Sequence, residues 1–121
     1  MNIFVLDDNP KLCAMVHCDK HVVKMILETA QMICTTHHLV GGHDYNIPYK
    51  STNVNHPCNR WLHDSIEKYN WLMSLITYLN EEYRYRYDKD VNHKSYDAVK
   101  DLPNIPCTHF ARSIPNEIKI K

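Results

Sequence analysis

His17, His21, Lys24 and Glu28 follow one another at intervals of four, three and four residues, the repeat that stacks side chains along one face of a helix. Two imidazoles four apart on such a face can share a metal ion, with Glu28 two turns further on, which keeps a histidine-based metal hydrolase among the readings. The plainer reading is a pair of hydrogen-bonded histidines beside a cleft, and no second ligand motif completes a site. Lys24 and Glu28 likewise have two readings. On an open helix they form a salt bridge worth roughly 0.3 to 0.5 kcal/mol. In an enclosed strip, Glu28 becomes a general acid or charge stabiliser and Lys24 an anion contact.

A second constellation is Tyr83-Arg84-Tyr85-Arg86-Tyr87, with Lys50, Arg60 and His93-Lys94 elsewhere in the chain. Basic groups neutralise phosphates while tyrosine rings stack on unpaired bases, so this set fits nucleic-acid or nucleotide binding. It fits equally well a helix end whose tyrosines pack inward and whose arginines are solvated. Nine histidines and eight tyrosines in so short a chain put polar tips on apolar bodies, which suits contact with a planar ligand.

The element that positions the first set is a predicted helix from about Lys20 to Leu39, closed by Gly41-Gly42 with the glycine expected in the left-handed conformation and Asp19 as its expected cap. At about 100° per residue, His17, His21, Lys24, Glu28, Gln31 and Thr35 fall within roughly 80° of arc. Val22, Val23, Met25, Ile26, Leu27, Ala30, Met32, Ile33 and Cys34 occupy most of the rest. A surface helix has the opposite proportions, so this one is expected to be buried on most sides, its charged strip facing a cleft or a thin window to solvent. Asp7-Asp8-Asn9-Pro10 predicts a short helix running toward His17. His56-Pro57 is expected to open a second long helix carrying Leu62, Ile66, Tyr69, Met73, Ile76, Leu79 and Tyr83 in register. Pro103, Pro106 and Pro115 leave room for one short helix near Tyr96 to Lys100 among extended segments. The fold class is all-α: a small single-domain bundle around one central buried helix, spanning 1–121, with an irregular proline-containing C-terminal segment.

The order of these parts resembles the pyrimidine dimer DNA glycosylases, the helical base-excision enzymes of the phage endonuclease V type. The resemblance covers roughly residues 1 to 95 and rests on several parts in order: the helix around Val22 to Ile33, Tyr49-Lys50, Asn55-His56-Pro57, Glu81-Glu82 ahead of Arg86-Tyr87, and Lys94-Ser95. It implies a base-excision repair enzyme that extrudes a nucleotide, attacks the sugar C1′ with an amine and stabilises the developing charge with a helix-borne carboxylate. Glu28 takes the carboxylate role under this resemblance. The family's amine is a free N-terminus exposed by methionine removal; with the bulky Asn2 in second position, Lys24 is the replacement this chain offers. Lys20, Lys24 and Arg60 match part of the family's basic helix residues, and His17, His21, Gln31, Lys50, Asn55, His56, Arg84, Arg86 and Lys94 complete the expected binding set around Glu28. The segment His17-Cys18-Asp19-Lys20-His21 also resembles one in uncharacterised viral proteins, which implies a phage or giant-virus source and the host cytoplasm as the working compartment.

Totals bound these readings. With 121 residues, 44% of them hydrophobic, the chain has material for one core. Fourteen basic residues against fourteen acidic ones give no global field, so any nucleic-acid contact is a local patch. Five widely spaced cysteines without a Cys-x-x-Cys pair predict reduced cytosolic thiols packed in the core. Two adjacent glycines exclude glycine-rich phosphate loops, and no apolar run approaches a membrane span. The expected partners are DNA or a nucleotide-like ligand, with a second copy of the chain also open; no cofactor and no resident metal is assigned. A non-catalytic binder that sequesters a nucleotide or signalling molecule is the competing class.

Overall fold

The computed structural model of the chain describes residues 8–41, 45–52, 57, 62, 65–105 and 110. It is all-α: four helices and no strand among the described residues. The first, α1 (Pro10–Met15), begins where proline's fixed φ suits the first helical position, and the Asn9 side chain accepts from the backbone N–H groups of Lys11 at 2.9 Å and Leu12 at 3.2 Å.

The second, α2 (Asp19–Val40), starts from Cys18, whose side chain makes no capping bond. Asp19 is therefore not the expected cap; it is the first helical residue, where its carboxylate faces the positive end of the helix dipole. Twelve of the 22 residues of α2 are buried, which makes it the expected central helix. Its end differs from expectation. Gly41 has φ −83° and ψ −176°, an extended conformation open to any residue. Glycine is required there for room: a Cβ at Gly41 would press on the Tyr45 hydroxyl and lie 2.7 Å from the His37 carbonyl oxygen. Gly41→Ala is expected to cost about 1 to 3 kcal/mol through this overpacking, read as a lowered thermal unfolding midpoint. An unchanged midpoint would show that Tyr45 gives way freely.

The third helix, α3 (Ile66–Arg86), starts later than the expected helix from His56-Pro57. Pro57 and Leu62 are helical, but Ser65 is extended at φ −158° and ψ 154°, and its hydroxyl accepts from Lys68 N–H at 3.2 Å to cap a new helix. Gly42 lies outside the described residues; a left-handed ending is found after α3, where Asp88 has φ 51° and Lys89 N–H returns to the Arg84 carbonyl at 2.9 Å. The fourth, α4 (Lys94–Val99), is capped by His93, whose Nδ1 accepts from Ser95 N–H at 3.0 Å.

α2 packs on α3 and α4, and α1 lies against α3. Trp71 Nε1 donates to the Asp8 carbonyl at 2.7 Å and Arg86 donates to the Met15 carbonyl at 2.8 Å, so α1 runs beside α3 in the same direction. The core between them contains Val22, Met25, Ile26, Ile33, Leu72, Leu75, Ile76 and Leu79, closed by Val99 and Phe110. Cys13 and Cys34 are buried as expected, Cys18 is exposed and corrects that expectation, and Cys58 and Cys107 lie outside the described residues. No helix among the described residues is long and apolar enough to cross a membrane.

Candidate functional site

α2 exposes Asp19, Lys20, Lys24, Leu27, His38 and Leu39, so Leu27, expected among the enclosed apolar positions, is open to solvent. Lys20 and Lys24 are exposed one turn apart, and His21, Glu28 and Gln31 beside them are half-buried. The two ends of the expected strip are closed. His17 is 3% exposed, tucked into the corner between α1 and α2, with its Nδ1–H donated to the Cys13 carbonyl at 2.7 Å. Burial lowers its pKa, against the pull of that carbonyl, and the neighbouring His21 and Arg86 lower it further. At the other end Thr35 is buried under segment 45–52: its hydroxyl accepts from Thr52 N–H at 3.0 Å and donates to the Gln31 carbonyl at 2.9 Å. The strip is thus a window to solvent between Lys20 and Gln31. The enclosure that would turn Lys24 into a nucleophile is not there, because Lys24 stands open to solvent.

Lys50 and Lys94 are exposed on two segments joined by a hydrogen bond between the Tyr49 hydroxyl and Ser95 Oγ, 3.1 Å. His38 Nε2 donates to the Tyr49 carbonyl at 2.8 Å, which fixes the Lys50 segment against α2. Arg84 and Arg86 are engaged within the protein. Arg84 donates to the Asp90 carbonyl at 3.1 Å and to Asn92 Oδ1 at 3.3 Å. Arg86 reaches four acceptors: Glu82 at 2.9 Å, the His17 carbonyl at 2.5 Å, Asp19 at 3.1 Å and the Met15 carbonyl at 2.8 Å. Both serve to hold turns in place. Tyr83 leans on Tyr87 and His93, whereas Tyr85 is 84% exposed and presents a free ring. Asn55, His56 and Arg60 lie outside the described residues. Among the described residues no three His, Cys, Asp or Glu side chains converge as a metal site.

A second polar cluster, not anticipated from the sequence, lies on the buried side of α2. His37 is fully buried, with Nδ1 2.6 Å from the Tyr45 hydroxyl and Nε2 2.6 Å from the Tyr69 hydroxyl. A neutral imidazole has one N–H and one acceptor nitrogen, so one phenol donates to it and the other accepts. Tyr69 is buried and His37 is its hydrogen-bond partner among the described residues, so its O–H donates to Nε2. Nδ1 then carries the ring proton and donates to the Tyr45 hydroxyl. The sequence signal was available: His37 falls on the same helical face as Ile26, Ala30 and Ile33, and a histidine on an apolar face needs partners for both nitrogens.

Burial pushes His37 down from the usual 6.5 to about 4, with His38 adding to the effect, and burial pushes Tyr69 well up from the ordinary phenol range, with Tyr45 and Cys34 adding. The consequence for stability follows from which state binds the proton first. In the unfolded chain His37 protonates near 6.5 and in the folded chain only near 4, so stability present above 6.5 is lost as pH falls through that window and levels off below it. His17 and His93, both lowered chiefly by burial, act in the same direction. The urea midpoint is therefore expected to fall steadily between pH 6.5 and 4. A midpoint flat across that range would contradict a neutral buried imidazole.

Fold and site together define an all-α protein with a polar window on its central helix, where Lys20 and Lys24 stand among Asp19 and Glu28, and a buried tyrosine–histidine–tyrosine network behind it. No family model, curated protein or solved structure matches the chain.

Proposed function

We propose that the protein binds DNA along the α2 window and processes a base there, as a glycosylase-like repair protein. The observation that supports this reading is that two of the residues α2 leaves open to solvent, Lys20 and Lys24, are cations one turn apart beside the half-buried carboxylate of Glu28. Lysines so spaced can contact phosphates, and a carboxylate partly withdrawn from water can stabilise positive charge developing at C1′ as a glycosidic bond breaks. Tyr85 offers a stacking face, and Lys50 and Lys94 extend the cationic surface. With Lys24 open to solvent, water rather than a lysine amine is the nucleophile, so base excision is proposed without strand cleavage. The resemblance noted above extends the proposal to a phage or giant-virus protein working in the host cytoplasm.

A second reading is supported by the engagement of Arg84 and Arg86, which leaves a small cationic footprint: a non-catalytic binder of a free nucleotide. Fluorescence anisotropy with single-stranded and duplex oligonucleotides over a salt series separates the two. For DNA, affinity falls steeply with salt, and Lys24→Glu weakens binding while lowering the salt slope by about one. Glu28→Gln is expected to keep binding and lose base release. Salt-independent binding would remove DNA, and nucleotide binding without turnover would leave the binder.

A further inference from the structure

We propose that His93 is an acid-sensitive latch: its neutral ring caps α4, and a further proton on that ring uncaps α4 and loosens it from α2. The cap depends on one atom in one protonation state. His93 Nδ1 accepts from Ser95 N–H at 3.0 Å, which requires a lone pair on Nδ1 and places the ring proton on Nε2. A second proton can go only to Nδ1, where it sets two donors against each other. Ser95 is buried, so α4 must shift before its N–H reaches a new acceptor. A helix of six residues is not stable by itself, so α4 persists through its cap and its packing on α2.

The other bonds around His93 survive its titration. From α3, Tyr83 meets the ring edge to face at 5.1 Å, and Asn80 Oδ1 accepts from the His93 backbone N–H at 2.8 Å, a bond indifferent to the state of the ring. Charges of both signs reach the neighbouring Asn92: Arg84 of α3 donates to it at 3.3 Å, and Asp97 of α4 accepts from it at 2.9 Å. Lys94, next in the chain, is exposed. On the α2 side, His38 Nε2 donates to the Tyr49 carbonyl at 2.8 Å, and a donor role is kept on protonation. Only His93 combines a titrating nitrogen with an acceptor role at a helix start. Burial lowers its pKa from 6.5, so stability from this group is present above 6.5 and lost as pH falls below it. Ser95 Oγ lies 3.1 Å from the Tyr49 hydroxyl, so loosening α4 also removes a tether from segment 45–52. The latch is separate from the α2 window and stands whether or not DNA is the ligand.

The test is amide hydrogen exchange by NMR on the isotope-labelled full chain between about pH 7.5 and about pH 5, with rates corrected for the intrinsic effect of pH. Protection of the α4 amides is expected to fall roughly fivefold to tenfold on acidification, the worth of one helix cap, and the Ser95 amide resonance to move with the midpoint of the His93 ring. His93→Asn supplies a side-chain oxygen that caps without titrating, so α4 protection and the Ser95 resonance are expected to stay level across the range. His93→Ala is expected to show the parent's acid level of α4 protection at every pH; should it fail to fold, His93→Asn decides alone. Protection that does not fall in the parent, that falls equally in His93→Asn, or that holds while the Ser95 resonance moves overturns the proposal.

Discussion

Replacing His37 by leucine is expected to destabilise the protein by about 2 to 4 kcal/mol, although leucine fills similar space and is the more apolar residue. The loss comes from the partners left behind. Tyr69 is buried, and its hydroxyl would lose the acceptor it has among the described residues. An orphaned buried hydroxyl bears its full desolvation cost, whereas a satisfied one nearly breaks even. The sharper form of the prediction is a double-mutant cycle by urea unfolding: Tyr69→Phe introduced into His37→Leu recovers much of the stability, because both polar partners are then gone. Strict additivity of the two changes would mean that the 2.6 Å contact carries no coupling.

Arg86→Ala is expected to cost about 2 to 4 kcal/mol, more than an ion pair at the surface would suggest. Arg86 accounts for two carbonyls, of Met15 and His17, that would otherwise need new donors at the α1–α2 turn, and it pairs with both Asp19 and Glu82. Arg86→Lys is not expected to rescue the variant, since a single ammonium cannot span four acceptors arranged around a planar fork. The measurement is again the urea midpoint, with DNA affinity as its companion. If Arg86→Ala leaves stability intact but weakens DNA binding, the residue belongs to the ligand surface after all.

These two residues show where the sequence was informative and where it was not. The bounds of α2 could be read to within a residue from the run of apolar positions between Val22 and Cys34, because one helix's burial pattern is local information. The start of α3 could not, since Leu62 and Ile66 keep helical register across Ser65 and conceal the break; the signal there is a serine, a residue type that caps helices, and its hydroxyl accepts from Lys68 N–H. Gly41 was recognisable as special, but its reason, the approach of Tyr45, is a tertiary matter. Arg86 has the residue type and the aromatic neighbours of a phosphate contact, and only an alignment of chain segments 67 to 71 residues apart reveals its engagement with the protein itself. In the window itself, the exposed Lys20 and Lys24 and the half-buried Glu28 were foreseeable from helical angle, whereas the burial of His17 and Thr35 depends on α1 and on segment 45–52 arriving from elsewhere.

The seating of α1 on α3 also sets an order of events at the ribosome. A six-residue helix is not stable by itself, and its docking partners Trp71 and Arg86 are 63 and 71 residues downstream of Asp8 and Met15. At ~5 to 20 residues per second, the emerging segment waits on the order of several seconds before anything exists for it to dock against. During that interval Cys13 and Ala14, buried once α1 is seated, have no cover, so α1 is ordered only after translation has carried Arg86 clear of the exit tunnel.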